Sequence, residues 1–219
     1  MKAFYWLQSK RTENKLEIKD LIYIYCLGGL IGNLYETILF YFMDHEYINS
    51  SASVIGPFNV VYGFGIALLT ICLYRIGNWL IIWLLGALIS GFSEFCMSLF
   101  EEKVLGISSW NYSHLLMNFE GRTTFPLAIC WGLAGMIIIV FIMPFILQLL
   151  HKIPRKVSII VAVVLTIYVT IDLSLSFVSL YRYSQRMHGI ENDNAFFKWI
   201  DQVFNDDYMK QRFPKLSFK

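Results

Sequence analysis

The sequence predicts an all-α, polytopic integral membrane bundle of about five transmembrane helices, followed by a C-terminal amphipathic helix. Three observations carry that reading. The 219 residues are 57% apolar and 17% aromatic but only 16% charged, a balance too oily for a soluble domain of this size. Five apolar runs each match the roughly 20 helical residues that cross a hydrocarbon core of about 30 Å. None shows the alternation of a barrel strand, whereas helices satisfy their own backbone groups in lipid.

Residues 1–20 form a segment expected on the cytoplasmic side. It opens Met1-Lys2-Ala3-Phe4-Tyr5-Trp6 and then turns polar, so it lacks the continuous apolar stretch of a cleavable leader. The transmembrane bundle is expected over residues 21–182, with runs Leu21 to Met43, Val54 to Tyr74, Trp79 to Phe100, Thr124 to Leu150 and Val157 to Tyr181. Gly28 with Gly32, and Ala87 with Gly91, are small-xxx-small pairs that permit close helix contact. Between the third and fourth runs, the loop 101–123 is long for a compact bundle, and loops of that length are often functional. The tail, 183–219, places Phe196, Ile200, Val203 and Phe204 at helical spacing among charged residues. That pattern predicts an amphipathic helix lying on a surface, whether of the protein's own loops, of lipid or of a partner.

Lys and Arg residues set the orientation. Lys2, Lys10, Arg11, Lys15, Lys19, Arg75, Lys152, Arg155 and Lys156 all fall at one end of the alternating runs, which the positive-inside rule makes cytoplasmic. The predicted location is the bacterial plasma membrane, with the N-terminus inside and the lipid bilayer as the principal partner. A net charge of +2 divided between loops gives no nucleic-acid footprint. Cys26, Cys72, Cys96 and Cys130 lie in predicted helices without CxxC spacing, so they read as small buried hydrophobes rather than disulfides or thiolate ligands.

Glu36, Glu94 and Asp172 sit singly in three parallel runs. They lie seven, six and nine residues from the outer run ends at Met43, Phe100 and Tyr181, about 9–14 Å below the boundary. A carboxyl inside a membrane helix costs roughly 2.5–3.5 kcal/mol on insertion scales, so it normally faces a partner, a cavity or a transported species. The opposed runs bring Asn59, Tyr62 and Trp131 to comparable depth, and Asn33 lies beside Glu36. Ser90, Glu94, Ser98 and Glu101 form a polar stripe rising to the loop, which holds Trp110, Tyr112, His114, Asn118 and Arg122. Together these predict an outward-facing polar cavity in which the acids bind a cation, relay protons or pair with Arg122. The predicted substrate-binding residues are Glu36, Glu94, Tyr112, Asn118, Arg122, Trp110, Asn33, Tyr62 and Asp172.

The sequence contains no phosphate-binding GxxxxGK[ST] loop, no HExxH and no GxSxG. No cofactor and no metal are expected; His45, between Asp44 and Glu46, reads as a solvated loop residue. Three function classes remain open: a transport-related subunit, an intramembrane enzyme acting on lipid or envelope material with Glu36 and Glu94 as an acid/base pair, and a non-catalytic assembly or sensory protein.

Several of these residues also carry a family resemblance. Gly32-Asn33-Leu34-Tyr35-Glu36, Gly56-Pro57-Phe58, Tyr62-Gly63-Phe64-Gly65, Ser93-Glu94-Phe95, Trp110-Asn111-Tyr112-Ser113, Asn118-Phe119-Glu120-Gly121-Arg122 and Trp131-Gly132 occur in the order seen in the ABC-transporter type IV, CmpB-like small bacterial membrane proteins. The chain resembles that family over roughly Leu21 to Leu150. It departs at Asn111, where the family more often has Asp, and at Thr123, where an aliphatic residue is usual. The resemblance implies a permease-like subunit served by a separate ATPase.

Overall fold

A computed structural model describes Arg11 and residues 14–219; the readings made for Met1 to Trp6, Lys2 and Lys10 lie outside the described residues. The helices are α1 (Ile18–Asp44), α2 (Val60–Leu73), α3 (Trp79–Phe100), α4 (Phe125–Ile137), α5 (Met143–Leu150), α6 (Arg155–Met187), α7 (Ala195–Val203) and α8 (Asp206–Arg212). A π-helical turn, Glu101–Leu105, prolongs α3, and another, Ile138–Ile142, joins α4 to α5. Pro144 has no amide hydrogen to give Val140, and the π turn just ahead of it absorbs the missing bond. Four stretches are long and apolar enough to cross a membrane: Ile18–Met43, Trp79–Leu105, Phe125–Leu150 and Arg155–Met187.

The second predicted run divides. Its helix is the 14-residue α2, about 21 Å long and short of a full crossing. The residues ahead of it are irregular rather than helical, with bends over 53–57. Gly56-Pro57 explains the break, because a residue before proline is pushed out of the helical region. Asn59 then caps the helix, its side chain accepting from Val61 N at 3.1 Å.

Small residues set the helix contacts. Gly28 and Gly32 of α1 face Ile66 and Tyr62 of α2. A Cβ at Gly132 of α4 would lie 2.7 Å from the Ala87 Cα and the Trp83 carbonyl of α3, so these backbones touch. The main core joins Ile24, Leu73, Ile82, Ile139, Met143 and Leu147. The cysteines depart from the sequence reading, since only Cys26 is buried and Cys72, Cys96 and Cys130 are exposed. Facing lipid, a small apolar side chain has no need of burial.

The bundle has two ends. At the amino end, Arg11 donates to the carbonyls of Leu73, Tyr74 and Ile76 beyond α2, and His151 Nε2 lies 3.0 Å from Asp20 Oδ2 at the start of α1. The other end, the tail end, gathers residues 45–59, the loop after α3 and everything after α6. There the predicted tail helix is two helices, because Asn205 interrupts it and caps α8 through Tyr208 N. Ile200, Phe204 and Met209 pack with Val54 and Tyr183, while Phe196 and Val203 point outward. The chain then closes on itself. β4 (Ser217–Phe218) pairs antiparallel with β1 (Ile107–Ser108), and Lys219 N donates to Gly106 O at 3.0 Å.

Candidate functional site

The site is organised by the irregular segment ahead of α2. Asn59 N donates to Gly29 O at 3.0 Å, about 22 Å along α1 from its end at Asp44. Irregular backbone this deep must be satisfied by protein groups. Asp172 Oδ1 accepts from Ile55 N and Gly56 N, each at 3.1 Å, and Ser176 Oγ accepts from Val54 N at 2.8 Å. Asn33 Nδ2 donates to Pro57 O at 2.9 Å. From the tail, Tyr208 OH donates to Val54 O at 2.6 Å, while Arg212 donates to Ser53 O at 2.8 Å and also to Gly56 O. Position 56 must be glycine, since a Cβ there would collide with the Asp172 carboxylate.

Two of the three predicted acids come together around the beginning of α2. Glu36 Oε2 accepts from Asn59 Nδ2 at 2.9 Å, and the Tyr62 phenol interacts with the same carboxylate. Across from it, Glu94 Oε1 accepts from Tyr112 OH at 3.0 Å and Oε2 from Thr123 Oγ1 at 2.7 Å. Tyr112 interacts electrostatically with both Glu94 and Glu36. Burial, and then the Glu94 carboxylate, push its phenol well above the ordinary tyrosine range, so it remains a donor at neutral pH. Tyr62 stacks edge-on against Trp131 with ring centroids 5.6 Å apart and tilts against Tyr35 at 6.2 Å. Glu36, Tyr62, Glu94, Tyr112 and Trp131 are all partly exposed. Lys215 of the tail lies 3.1 Å from the Phe40 ring centre, one turn beyond Glu36, and adds a positive charge near that carboxylate.

Asp172 is not part of this pair. It is 2% exposed and is occupied by the backbone of residues 55 and 56. Of the three roles open to the acids, pairing with Arg122 is not the one adopted among the described residues. Its ion-pair partners are Glu102 at 2.8 Å and Glu120 at 3.4 Å, with Ser98 Oγ at 3.3 Å. Glu102 lies in the π-helical turn that prolongs α3.

The remaining predicted residues build the loop. Trp110 Nε1 donates to Arg122 O at 2.8 Å. Asn118 Nδ2 donates to Leu115 O at 2.7 Å while its Oδ1 accepts from Gly121 N at 2.9 Å. Together with the pairing of β2 (Asn118–Phe119) and β3 (Thr123–Thr124), these bonds fix Tyr112 over Glu94. His114 is exposed, and His45 ends α1 in the left-handed conformation. Among the described residues, no group of three His, Cys, Asp or Glu side chains is arranged to hold a metal ion.

Sequence reasoning missed Thr123, Ser176, Tyr208 and Arg212 as partners of the site and its supporting segment. The tail residues lie more than 150 positions from the backbone they bind, so no local pattern marks them. The chain matches the family described as putative ABC-transporter type IV over residues 23–177. No curated protein and no solved structure is a match. The family match covers well over half of the sequence, and the chain belongs to that family.

Proposed function

We propose, proceeding from that membership, that this transport-related membrane protein is a permease-like subunit. In this reading Glu36 and Glu94, joined through Tyr62 and Tyr112, engage a small or amphipathic substrate at the tail end, and the power stroke comes from a separate ATPase. One observation carries the reading: α2 begins deep in the bundle after irregular, bent backbone, with Asn59 linking its first turn to Glu36. Interrupted helices of this kind form substrate and ion sites in transporters, because their free termini and exposed backbone can act on a ligand only where the protein shields them from lipid. Partial exposure of both acids supports a ligand-accessible pair. The N-terminus belongs on the cytoplasmic side in this reading, and the short connections after α2 and after α5 would meet the ATPase.

The test is purification of the tagged full-length chain from its native membrane in mild detergent, with mass spectrometry of co-purifying proteins and measurement of ATP hydrolysis. A stoichiometric ATP-hydrolysing partner, whose activity is lost in Glu36→Gln while the complex stays assembled, is the expected result. A chain that purifies alone, without ATPase activity, sinks the permease reading.

A further inference from the structure

The outer corner between α6 and α7 combines an apolar helix face with a charged cavity. Arg182 and Arg186, in the last two turns of α6, both bind Asp201 of α7. This fixes α7 beside the end of a helix long and apolar enough to cross a membrane. Ile200 of α7 and Phe204 just beyond it are buried against the bundle, whereas Phe196, Trp199 and Val203, on the adjoining flank of the same apolar arc, are about half exposed. On α6, Phe177, Tyr181 and Met187 are also exposed. Aromatic rings near the end of a membrane helix are characteristic of interfacial anchoring.

Beside this face lies a cavity of about 420 Å³ whose charged lining is Arg182, Arg186, Lys198, Glu191, Asp193 and Asp201. Three cations and three acids share one small space. Arg182 is held by Asp201 and Gln185, Arg186 by Asp201, Asp206 and the Phe204 carbonyl, and Lys198 lies 2.9 Å from Asp193. Glu191 is exposed and has no ion pair among the described residues. An anion alone would meet three carboxylates here, and a cation alone would meet two guanidinium groups and an ammonium. A zwitterion satisfies both sets: phosphate oxygens toward the exposed ammonium of Lys198 and an ammonium toward Glu191 and Asp193, the solvent-exposed Lys198–Asp193 pair opening to admit it. Carboxylates bind a primary ammonium through N–H donors that a quaternary one lacks.

We propose that this corner binds the head group of a zwitterionic phospholipid carrying a primary ammonium, with α7 laid into the membrane interface beside it. Its acyl chains lie along the exposed faces of α6 and α7. The proposal is independent of the transport reading, because it uses none of the residues around Glu36 and Glu94.

Native mass spectrometry of the full-length chain in detergent, offered equal amounts of phosphatidylethanolamine, phosphatidylcholine and phosphatidylglycerol with identical acyl chains, tests it. Retention of phosphatidylethanolamine is expected to exceed that of the other two by about tenfold, the factor carried by one charge-assisted hydrogen bond. Glu191→Gln, at an exposed position, removes that preference while leaving thermal unfolding unchanged. Replacing Phe196 and Trp199 by Ser lowers retention of all three lipids, and soluble phosphoethanolamine in excess does not displace the bound lipid. Equal retention of the three lipids, a preference that survives Glu191→Gln, or displacement by the soluble head group would each overturn the proposal.

Discussion

Asp172 and the Glu36–Glu94 pair lie at similar depth in the same bundle, yet they are held in opposite ways. Asp172 is almost fully buried and accepts from two backbone amides. Glu36 and Glu94 remain partly exposed and bond to side chains rather than main-chain amides, namely Asn59, Tyr112 and Thr123. A carboxylate spent on fixed main-chain donors is a structural part, since removing it leaves those donors without a partner. One bonded to side-chain hydroxyls and an amide can exchange those partners for a ligand. Depth in the membrane therefore does not separate function from architecture, whereas the kind of partner does.

The largest effect that would sharpen this contrast is expected at Asp172. Asp172→Ala leaves two amide hydrogens without acceptors inside the bundle, at about 1–3 kcal/mol for each orphaned donor, and should lower the melting temperature in detergent steeply. Asp172→Asn retains an oxygen facing both amides and should recover much of the loss. If Asp172→Ala melts like the parent chain, the distinction between the acids fails.

Next in size is the opposite side of the same clamp. Arg212→Ala removes the donors to Ser53 O and Gly56 O and is expected to cost about 1–3 kcal/mol, the range for hydrogen bonds to a charged group. Protease access to residues 51–57 should rise in parallel. The tail carries its own pH dependence through Asp201. Burial works to raise its pKa, but hydrogen bonds from Arg182 and Arg186 outweigh that and hold it below the usual aspartate range. The folded-state pKa is thus depressed, so this contribution to stability is fully present above the unfolded value of about 3.9 and is lost as pH falls through the lower folded value. Amide exchange over Ala195–Val203, corrected for intrinsic rate, should accelerate only below about pH 4. Acceleration already at pH 6 would mean that Asp201 does not hold α7.

Much of this architecture was legible in the residues. The apolar runs, the small-residue contacts at Gly28 and Gly32, and the depth of Glu36 and Glu94 follow from periodicity and counting. Pro57 and Asn59 carried the signals for a break and a cap, but the apolar stretch from Val54 onward masked them, because hydropathy averages over backbone conformation. Two kinds of information were not there to be read. Arg122 meets Glu102 within a π-helical turn that no pattern in Glu101-Glu102-Lys103 announces. Tyr208 and Arg212 reach residues 53–56 only through a tail that folds back over the bundle, a pairing decided by tertiary packing.

The smallest stability effects, and the most discriminating, are expected at the pair itself. In Tyr112→Phe, Glu94 loses one donor but keeps Thr123, a change of about 1 kcal/mol or less for a partly exposed hydrogen bond. In Glu36→Gln the new amide oxygen can still accept from Asn59, so the melting temperature should scarcely move. Substrate-dependent ATPase activity of the assembled complex should nevertheless be lost, because glutamine cannot carry the negative charge or exchange the proton. A double-mutant cycle of Glu36→Gln with Tyr112→Phe distinguishes a working pair from two separate braces. Groups sharing one site are coupled by about 0.5–3 kcal/mol, while independent positions add. If the two changes prove additive in function and each lowers stability by as much as Asp172→Ala, Glu36 and Glu94 are braces of the same kind, and the tail end of the bundle has no exchangeable acid.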